Sequence, residues 1–341
     1  MCAVSSHPGR DSIIMPRYVK RGMKKVVQAG FKEKEIIIDG DILHYAEGPA
    51  NGPALLLIHG QSVDWTSYFK VLPALSKIYH VYAIDCHGHG HSNKNPYKYS
   101  AEAMGTDFAR FIEEVVKEPV IVSGHSSGGL LAVWLAANRP DLVKGAVLED
   151  QPLFSSEAKR YNEKNFAYLD MSLTCHNFLN QTKETDFSSY YIEHSAWIRF
   201  FKNGKQRIVN YAKSYRKKHP DCPLYLFFLP ASLNEALRGL LNYDPEFGNC
   251  FYDATWHRNF DHAKALESIV CPTVLIHTKW KYDENGVLLA AMDGKDAEKA
   301  RSLMRDCELV NVKTGHGFHF EKPEDYVSIL RKFRSRVQDL S

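Results

Sequence analysis

One serine lies in a sequence context that favours nucleophilic catalysis. Ser126 is the central residue of Gly124-His125-Ser126-Ser127-Gly128, which matches the pattern G-x-S-x-G. A β-branched run precedes this pentapeptide and an apolar helical pattern follows it, which predicts a sharp turn from a strand into a helix. Such a turn needs small neighbours and projects the hydroxyl away from the sheet. The N-terminus of the following helix favours negative charge nearby. We therefore predict that Ser126 is a nucleophile.

The elements that must position this serine follow an alternating pattern. Two strand-like runs joined by Asp39-Gly40-Asp41 predict a hairpin. Helical patterns, among them 18–28, 101–116 and 323–337, separate further buried strands, which we predict within 54–60, 80–90, 120–129, 144–150, 273–278 and 308–315. Strands that alternate with helices predict a mostly parallel sheet with helices on both faces.

One long block interrupts this alternation. Residues 154–262 are rich in Tyr, Phe, Trp and His, and their apolar spacing is that of helices. A helical block at this place would cover the carboxyl ends of the strands, where open α/β sheets bind ligands. We predict an N-terminal extension (1–30), a core (31–153 and 263–341) and an inserted helical cap (154–262).

Composition excludes several classes of protein. The 341 residues include 43 Lys and Arg against 40 Asp and Glu, a formal charge of +3, which is too balanced to indicate a nucleic-acid partner. No apolar run approaches the roughly 18 residues of a membrane span. The N-terminal residues contain no apolar segment of signal-peptide length, and the seven cysteines include no CxxC pair. These features predict a cytoplasmic protein with reduced thiols.

Four landmarks occur in a fixed order along the chain. They are His59-Gly60-Gln61-Ser62, Asp85-Cys86-His87-Gly88-His89-Gly90-His91-Ser92, the pentapeptide around Ser126, and Gly315-His316-Gly317-Phe318-His319-Phe320-Glu321-Lys322-Pro323. In this order they resemble the motifs of the α/β-hydrolase superfamily. The resemblance covers about residues 33–340 apart from the inserted block. It implies an α/β-hydrolase core, a mostly parallel eight-stranded sheet with helices on both faces.

The resemblance also implies roles for individual residues. A free serine hydroxyl is a weak nucleophile and needs a base. The family pattern assigns that role to His316, with His319 as the rival three residues later. The oxyanion hole would use the backbone N–H groups of Ser127 and Gln61.

The acid that orients the histidine has two candidates. The commonest family position follows the seventh strand, but Lys281 occupies it here, and Asp283 lies two residues further. The other position follows the sixth strand, 24 residues after the nucleophile, where this chain has Asp150. The lysine favours Asp150, and Asp283 remains the alternative. In either place the carboxylate would hold the imidazole tautomer.

These residues imply a serine hydrolase that cleaves a carboxylic ester or lactone through an acyl-enzyme. The aromatic block suggests a mid-sized apolar or aromatic small-molecule substrate. The alternatives are a C–C bond hydrolase or thioesterase on the same triad, and a ligand receptor with slow turnover. Epoxide hydrolases and dehalogenases are disfavoured because those branches carry Asp at the elbow.

Two further patterns could indicate binding sites, but for each we favour a structural interpretation. The alternating His87, His89 and His91 suggest a metal site, but they lack other ligands at suitable spacing, so we expect neither a metal nor an organic cofactor. The stretch 197–220 holds eight Lys and Arg and no acid, and we interpret it as a solvated helix face. The oligomeric state stays open.

Overall fold

The computed structural model describes residues 16–158, 160 and 169–338, with the side chains of Arg199 and Phe200 excepted. Residues 1–15 of the predicted N-terminal extension lie outside this range. Within it the chain forms an eight-stranded sheet of order β1-β2-β4-β3-β5-β6-β7-β8. The strands are β1 (Lys32–Ile38), β2 (Asp41–Glu47), β3 (Ala54–Ile58), β4 (His80–Ile84), β5 (Val120–His125), β6 (Val143–Glu149), β7 (Thr273–His277) and β8 (Cys307–Asn311).

The sheet is mixed at one edge and parallel elsewhere. The hairpin β1–β2 is antiparallel, and β2 also pairs with β4 in antiparallel register. Every other neighbouring pair is parallel. The carboxyl ends of β3 to β8 therefore point to the same edge of the sheet, and the predicted fold class is confirmed.

Helices cover both faces of the sheet and predominate among the described residues between β6 and β7. They are α1 (Arg17–Gln28), α2 (Leu72–Leu75), α3 (Ala101–Phe111), α4 (Ser127–Asn138), α5 (Leu169–Leu179), α6 (Phe187–His194), α7 (Lys205–Lys218), α8 (Ala231–Gly239), α9 (Pro245–Tyr252), α10 (His262–Ser268), α11 (Gly294–Leu303), α12 (Phe318–Glu321) and α13 (Pro323–Gln338). Short 3₁₀ turns occupy Trp65–Tyr68, Pro96–Lys98, Ala196–Gly204 and Thr255–His257, and a π turn spans Ile112–Val116. The helical pattern predicted to 116 thus ends as an α-helix at Phe111.

The two faces of the sheet build two separate hydrophobic clusters. On β3, Leu56 and Ile58 pack with α3 and α4, whereas Leu55 and Leu57 pack with α13. Because successive side chains of a strand point to opposite faces, a strand covered on both sides must be apolar throughout. This is why ALLLI reads as one continuous apolar run.

The helices between β6 and β7 are packed into the first of these clusters. Buried aromatic side chains from α9 and its neighbourhood, such as Phe247, Phe251 and Trp256, share that cluster with Leu130 of α4. These helices are therefore held on the sheet's helical layer by apolar burial. The boundaries predicted for a cap, 154–262, remain a prediction. None of the helices among the described residues combines the length and apolarity needed to cross a bilayer.

Candidate active site

Ser126 sits on a sharp turn between β5 and α4. Its backbone has φ 55° and ψ −125°, a conformation that few residues other than glycine adopt. Its N–H donates to the carbonyl oxygen of Glu149 on β6, 3.0 Å away. A side chain at Gly124 would overlap the carbonyl of Gly128, and one at Gly128 would overlap the carbonyl of His59. The small residues of the pentapeptide are thus required by close backbone packing.

The loop after β8 brings His316 to this turn. The Nδ1 atom of His316 lies 2.7 Å from Oδ2 of Asp150. Because a carboxylate only accepts, Nδ1 carries the proton in this contact. The His316 ring centroid is 4.5 Å from that of His125, the residue next to the serine. The imidazole side chain is 27% exposed, so its surroundings are open to a small molecule.

Asp150 follows β6 directly and is fully buried. Its backbone is also in the left-handed region, with φ 43°, which turns the carboxylate toward the end of β7. There the Thr278 hydroxyl donates to Oδ2 over 2.8 Å, and the Thr278 N–H lies 3.4 Å from Oδ1. Thr278 and His316 together therefore supply hydrogen-bond partners to the buried carboxylate, and Oδ2 is shared by the Thr278 hydroxyl and His316.

The alternative acid has a different environment. Asp283 accepts hydrogen bonds from the N–H groups of Asn285 and Val287 at 2.9 and 2.8 Å, which closes its own turn after β7. Of the two candidate carboxylates, the structure brings that of Asp150 to His316. The catalytic role of either acid remains a prediction.

The turn after β3 approaches the serine from the other side. A Cβ placed on Gly60 would lie 2.9 Å from the Cβ of Ser126. His59 locks this turn, because its Nε2 accepts the N–H of Cys86 at 3.0 Å and its Nδ1 lies 2.7 Å from the Gly60 carbonyl. Burial lowers the pKa of His59, which keeps the ring neutral as this bonding requires.

The two N–H groups assigned to the oxyanion hole lie on either side of Ser126. Ser127 is the first residue of α4, and Gln61 follows Gly60. Neither N–H donates to an acceptor among the described residues. Unpaired donors beside a nucleophile can bind an oxygen that gains negative charge.

A second carboxylate–imidazole pair lies next to the first, since Glu149 directly precedes Asp150. His319 Nδ1 contacts Glu149 Oε1 and Oε2 at 2.8 and 2.9 Å, and the His319 N–H donates to the same carboxylate at 2.9 Å. Burial alone would raise the pKa of Glu149, but attraction to His319 and His125 outweighs it and lowers that pKa. This rival histidine is therefore enclosed, whereas His316 is accessible.

His125 is a site residue that sequence reasoning missed. Its Nε2–H donates to the carbonyl oxygen of His316 over 2.9 Å, and its ring lies 5.0 Å from that of His319. The side chain thus ties the serine turn to the histidine loop. In the sequence, His125 is only the second residue of G-x-S-x-G. Many residue types occur at that position, so the pattern does not indicate its role.

The three alternating histidines separate in the structure. His87 Nε2 lies 2.9 Å from Asp107, His89 packs against Phe247 with 4.6 Å between ring centroids, and His91 packs against His44. Among the described residues, no group of three or more His, Cys, Asp or Glu side chains has the arrangement of a metal site.

The basic stretch 197–220 includes α7, and two of its cations are paired. Arg216 contacts Asp186 at 2.8 Å, and Lys213 contacts Glu193. This pairing fits the interpretation as a helix face balanced by acids from neighbouring elements.

The fold is a mostly parallel sheet with helices on both faces, a serine on the sharp turn after β5 and a histidine on the loop after β8. These features place the protein among the α/β proteins with a doubly wound sheet. The sequence model of the Alpha/beta hydrolase family matches residues 55–329 of this chain. That range exceeds half of the chain, so the chain belongs to the α/β-hydrolase family.

Individual relatives match over shorter stretches. Over 94 residues the chain is 37% identical to the magnesium-chelatase 30 kDa subunit of Rhodobacter capsulatus, covering 27% of this chain and 33% of that protein. Over 105 residues it is 35% identical to (E)-2-((N-methylformamido)methylene)succinate hydrolase of Acinetobacter baylyi, covering 30% and 38%. The matches therefore span between a third and two fifths of these relatives' length.

Solved structures resemble the whole chain. The enol-lactonase from Burkholderia xenovorans aligns with a TM-score of 0.61 and 17% identity, covering 89% of this chain and 100% of that chain. Similarity at this level of identity supports the fold and leaves the reaction to the residues of the site.

Proposed function

We propose that this chain is a serine hydrolase that cleaves a carboxylic ester or lactone through an acyl-enzyme intermediate. The observation that carries the proposal is the 2.7 Å contact between His316 Nδ1 and the buried Asp150, at the turn that holds Ser126. This contact selects the imidazole tautomer that a serine nucleophile needs.

The geometry supports the following sequence of steps. The Ser126 hydroxyl attacks the carbonyl carbon while His316 Nε2 takes its proton. The N–H groups of Gln61 and Ser127 bind the tetrahedral oxyanion. When the intermediate collapses, His316 gives its proton to the leaving alcohol, and an acyl-serine remains. A water molecule deprotonated by His316 then releases the acid and restores the serine.

The proposed substrate is a mid-sized apolar or aromatic ester or lactone, and two observations support this class. The helices between β6 and β7 place buried aromatic side chains, Phe247 among them, in one cluster with the layer that follows Ser126. The structurally similar enol-lactonase supports lactones as a class to be tested alongside open-chain esters. We further propose a reducing, cytoplasmic location, which is supported by free thiols at Cys86, Cys175, Cys222, Cys250, Cys271 and Cys307.

Covalent labelling tests the proposal. A fluorophosphonate probe should label the wild-type protein on Ser126, and nitrophenyl esters or lactones should be hydrolysed with multiple turnovers. Ser126→Ala should lose both properties. Ser127→Ala is the matched control, because it removes a neighbouring hydroxyl and keeps the backbone N–H, so it should retain both.

Each outcome has a distinct meaning. Labelling of Ser126 with negligible turnover of esters and lactones would support the slow receptor instead. Turnover of thioesters or of vinylogous diketones alone would move the substrate class while keeping the triad. A folded wild type that neither labels nor turns over any of these substrates would refute the proposal.

A further inference from the structure

The loop that carries Gln61 is held by a distant part of the chain. We call residues 59–66 the oxyanion loop and residues 235–247, which include the end of α8 and the start of α9, the gripping segment. The gripping segment contacts the oxyanion loop at three places. The residues in contact are more than 170 positions apart in the sequence. None of the contacts is needed to build the sheet.

The first contact is made by Gln61 itself. Its side-chain amide Nε2 donates to the hydroxyl oxygen of Tyr243 over 2.6 Å. Tyr243 is 2% exposed, and its ring packs edge-on against His89 at 4.9 Å between centroids. The partner of Gln61 is therefore itself fixed, and a fixed partner restricts the orientation of the Gln61 peptide.

The second contact is an ion pair further along the loop. Arg238 Nη1 lies 2.8 Å from Asp64 Oδ2, and Nη2 lies 3.1 Å from Oδ1, so the guanidinium grips the carboxylate with two parallel bonds. Asp64 in turn accepts the N–H of Thr66 at 2.9 Å and begins the 3₁₀ turn. Burial alone would raise the pKa of Asp64, but the Arg238 charge outweighs it and lowers that pKa.

The third contact is steric. Gly239 lies so close to the carbonyl oxygen of Ser62 that any side chain at position 239 would overlap it. Ser62 has φ 62°, a left-handed conformation that costs energy in a residue other than glycine. The conformation of the loop directly after Gln61 is thus both strained and supported from the gripping segment.

We propose that the gripping segment positions the backbone N–H of Gln61 for the oxyanion, with Tyr243 and Arg238 as positioning residues. The proposal rests on the proposed function. An oxyanion donor acts only when it lies about 2.7 to 3.1 Å from the place where charge develops. A loop held at three of its residues keeps that distance without reorganisation during the reaction. Because the segment lies between β6 and β7, any shift of this region would also change the oxyanion hole.

Two tyrosines give a matched pair of variants. Tyr243→Phe removes the hydroxyl that holds Gln61. Tyr99→Phe removes a hydroxyl that donates to Asp244 Oδ2 over 2.7 Å, a bond from the core to the same segment that does not involve the oxyanion loop. Tyr243→Phe should lower kcat about 10-fold with KM unchanged, because a fully lost donor costs about 10²- to 10³-fold. Tyr99→Phe should leave kcat within about 2-fold of wild type.

Amide hydrogen exchange provides a readout that does not depend on turnover. Peptides covering 60–66 should exchange faster in Tyr243→Phe and in Arg238→Lys, which keeps the charge and loses the two-pronged geometry, but not in Tyr99→Phe. Equal kcat and equal exchange in Tyr243→Phe and Tyr99→Phe would overturn the proposal. So would parallel changes of kcat and KM in both, which would indicate general loosening.

The two failures can be told apart. If wild type and Tyr99→Phe hydrolyse no ester or lactone, the proposed function fails. The exchange measurement then still decides whether the gripping segment holds the loop. If both hydrolyse the substrate, and the Tyr243 and Arg238 variants also keep full kcat with unchanged exchange, the positioning role alone fails.

Discussion

Two carboxylate–imidazole pairs sit side by side at the carboxyl end of β6 and differ in their access to solvent. In one, Asp150 contacts His316, whose side chain is 27% exposed. In the other, Glu149 contacts His319, whose side chain is 3% exposed. Both carboxylates are buried. Neighbouring residues of identical chemistry thus acquire an open and an enclosed environment.

The difference in exposure between the two histidines has two causes. Successive residues at the end of β6 direct their side chains to different sides, and the short helix α12 encloses His319. Glu149 is the last residue of β6 and points beneath the serine turn, whereas Asp150 leaves the strand with φ 43° and points toward the loop. His319 lies inside α12 and packs on Tyr68 at 4.5 Å between centroids. A histidine enclosed in this way cannot meet a substrate, so we propose that the enclosed pair is structural and that the open pair takes part in the chemistry.

Replacing each histidine tests this assignment most strongly. His316→Ala should lower kcat on the order of 10⁶-fold, the loss seen when the triad histidine of a serine protease is removed. His319→Ala should lower it far less and should destabilise the fold more, because it leaves a buried carboxylate without its partner. Ester hydrolysis and urea unfolding of both variants check this. The reverse order of activities would exchange the two roles.

Replacing each candidate acid tests the open pair next. Asp150→Asn should lower kcat about 10⁴-fold, as a mispaired imidazole does in serine proteases, because the amide can hold the wrong tautomer. Asp283→Asn is the control and should leave kcat nearly unchanged, since that carboxylate closes its own turn. Steady-state kinetics at pH 7 measure both. A large loss in Asp283→Asn with an active Asp150→Asn would contradict the assignment.

The enclosed pair predicts an effect on stability. Glu149→Gln should lower the free energy of unfolding at pH 7 by about 1.5 to 3 kcal/mol, the range for hydrogen bonds to a charged group. The folded pKa of Glu149 lies below its ordinary value, so its contribution is present at neutral pH and is lost as the pH falls through that lowered pKa. Wild type should therefore lose stability more steeply than the variant below about pH 4.3.

The exposed Glu308, with a side chain 63% exposed, provides the control. Glu308→Gln should change the unfolding free energy at pH 7 by less than about 0.5 kcal/mol. Equal unfolding energies for Glu149→Gln and wild type at pH 7, with parallel profiles below it, would show that the enclosed pair is not a source of stability.

Much of the architecture could be predicted because burial on both faces leaves a strong pattern. A strand such as ALLLI has no polar residue, and the stretch into Ser126 changes from strand period to helix period at a glycine-rich turn. Both features are local, so they can be read without knowing the fold. The parallel sheet and its helical layers were confirmed on this basis.

The environment of each site residue was harder to predict. His316 and His319 are three residues apart in one motif, and only the packing of Tyr68 and the ends of β6 shows which is enclosed. Two aspartates follow candidate strands, and the sequence does not specify the left-handed backbone at Asp150 that turns it to His316. The contact between Gln61 and Tyr243 joins residues 182 positions apart, which no local pattern indicates.

A third carboxylate–imidazole pair lies at β2, outside the proposed active site, and can be compared with the other two. His44 Nδ1 lies 2.8 Å from Asp85 Oδ2, and Nε2 lies 3.3 Å from Glu33 Oε2. Burial alone would lower the pKa of His44, but the hydrogen bonds that its ring donates to these two carboxylates outweigh it and raise the pKa to about 9. Since the folded pKa lies above the ordinary value of about 6.5, the stabilisation is complete below pH 6.5.

This stabilisation should disappear as the pH rises through about 9. We expect the free energy of unfolding of wild type to fall by about 3 kcal/mol between pH 6.5 and 9.5 from this group. His44→Gln should be less stable at pH 6.5 and should show a flatter profile over the same interval, while kcat at pH 7 stays near that of wild type. Urea unfolding at several pH values measures the slopes. Parallel slopes for the two proteins would show that His44 is uncharged in the fold. An enclosed imidazole next to a carboxylate would then not need to carry the second ring proton.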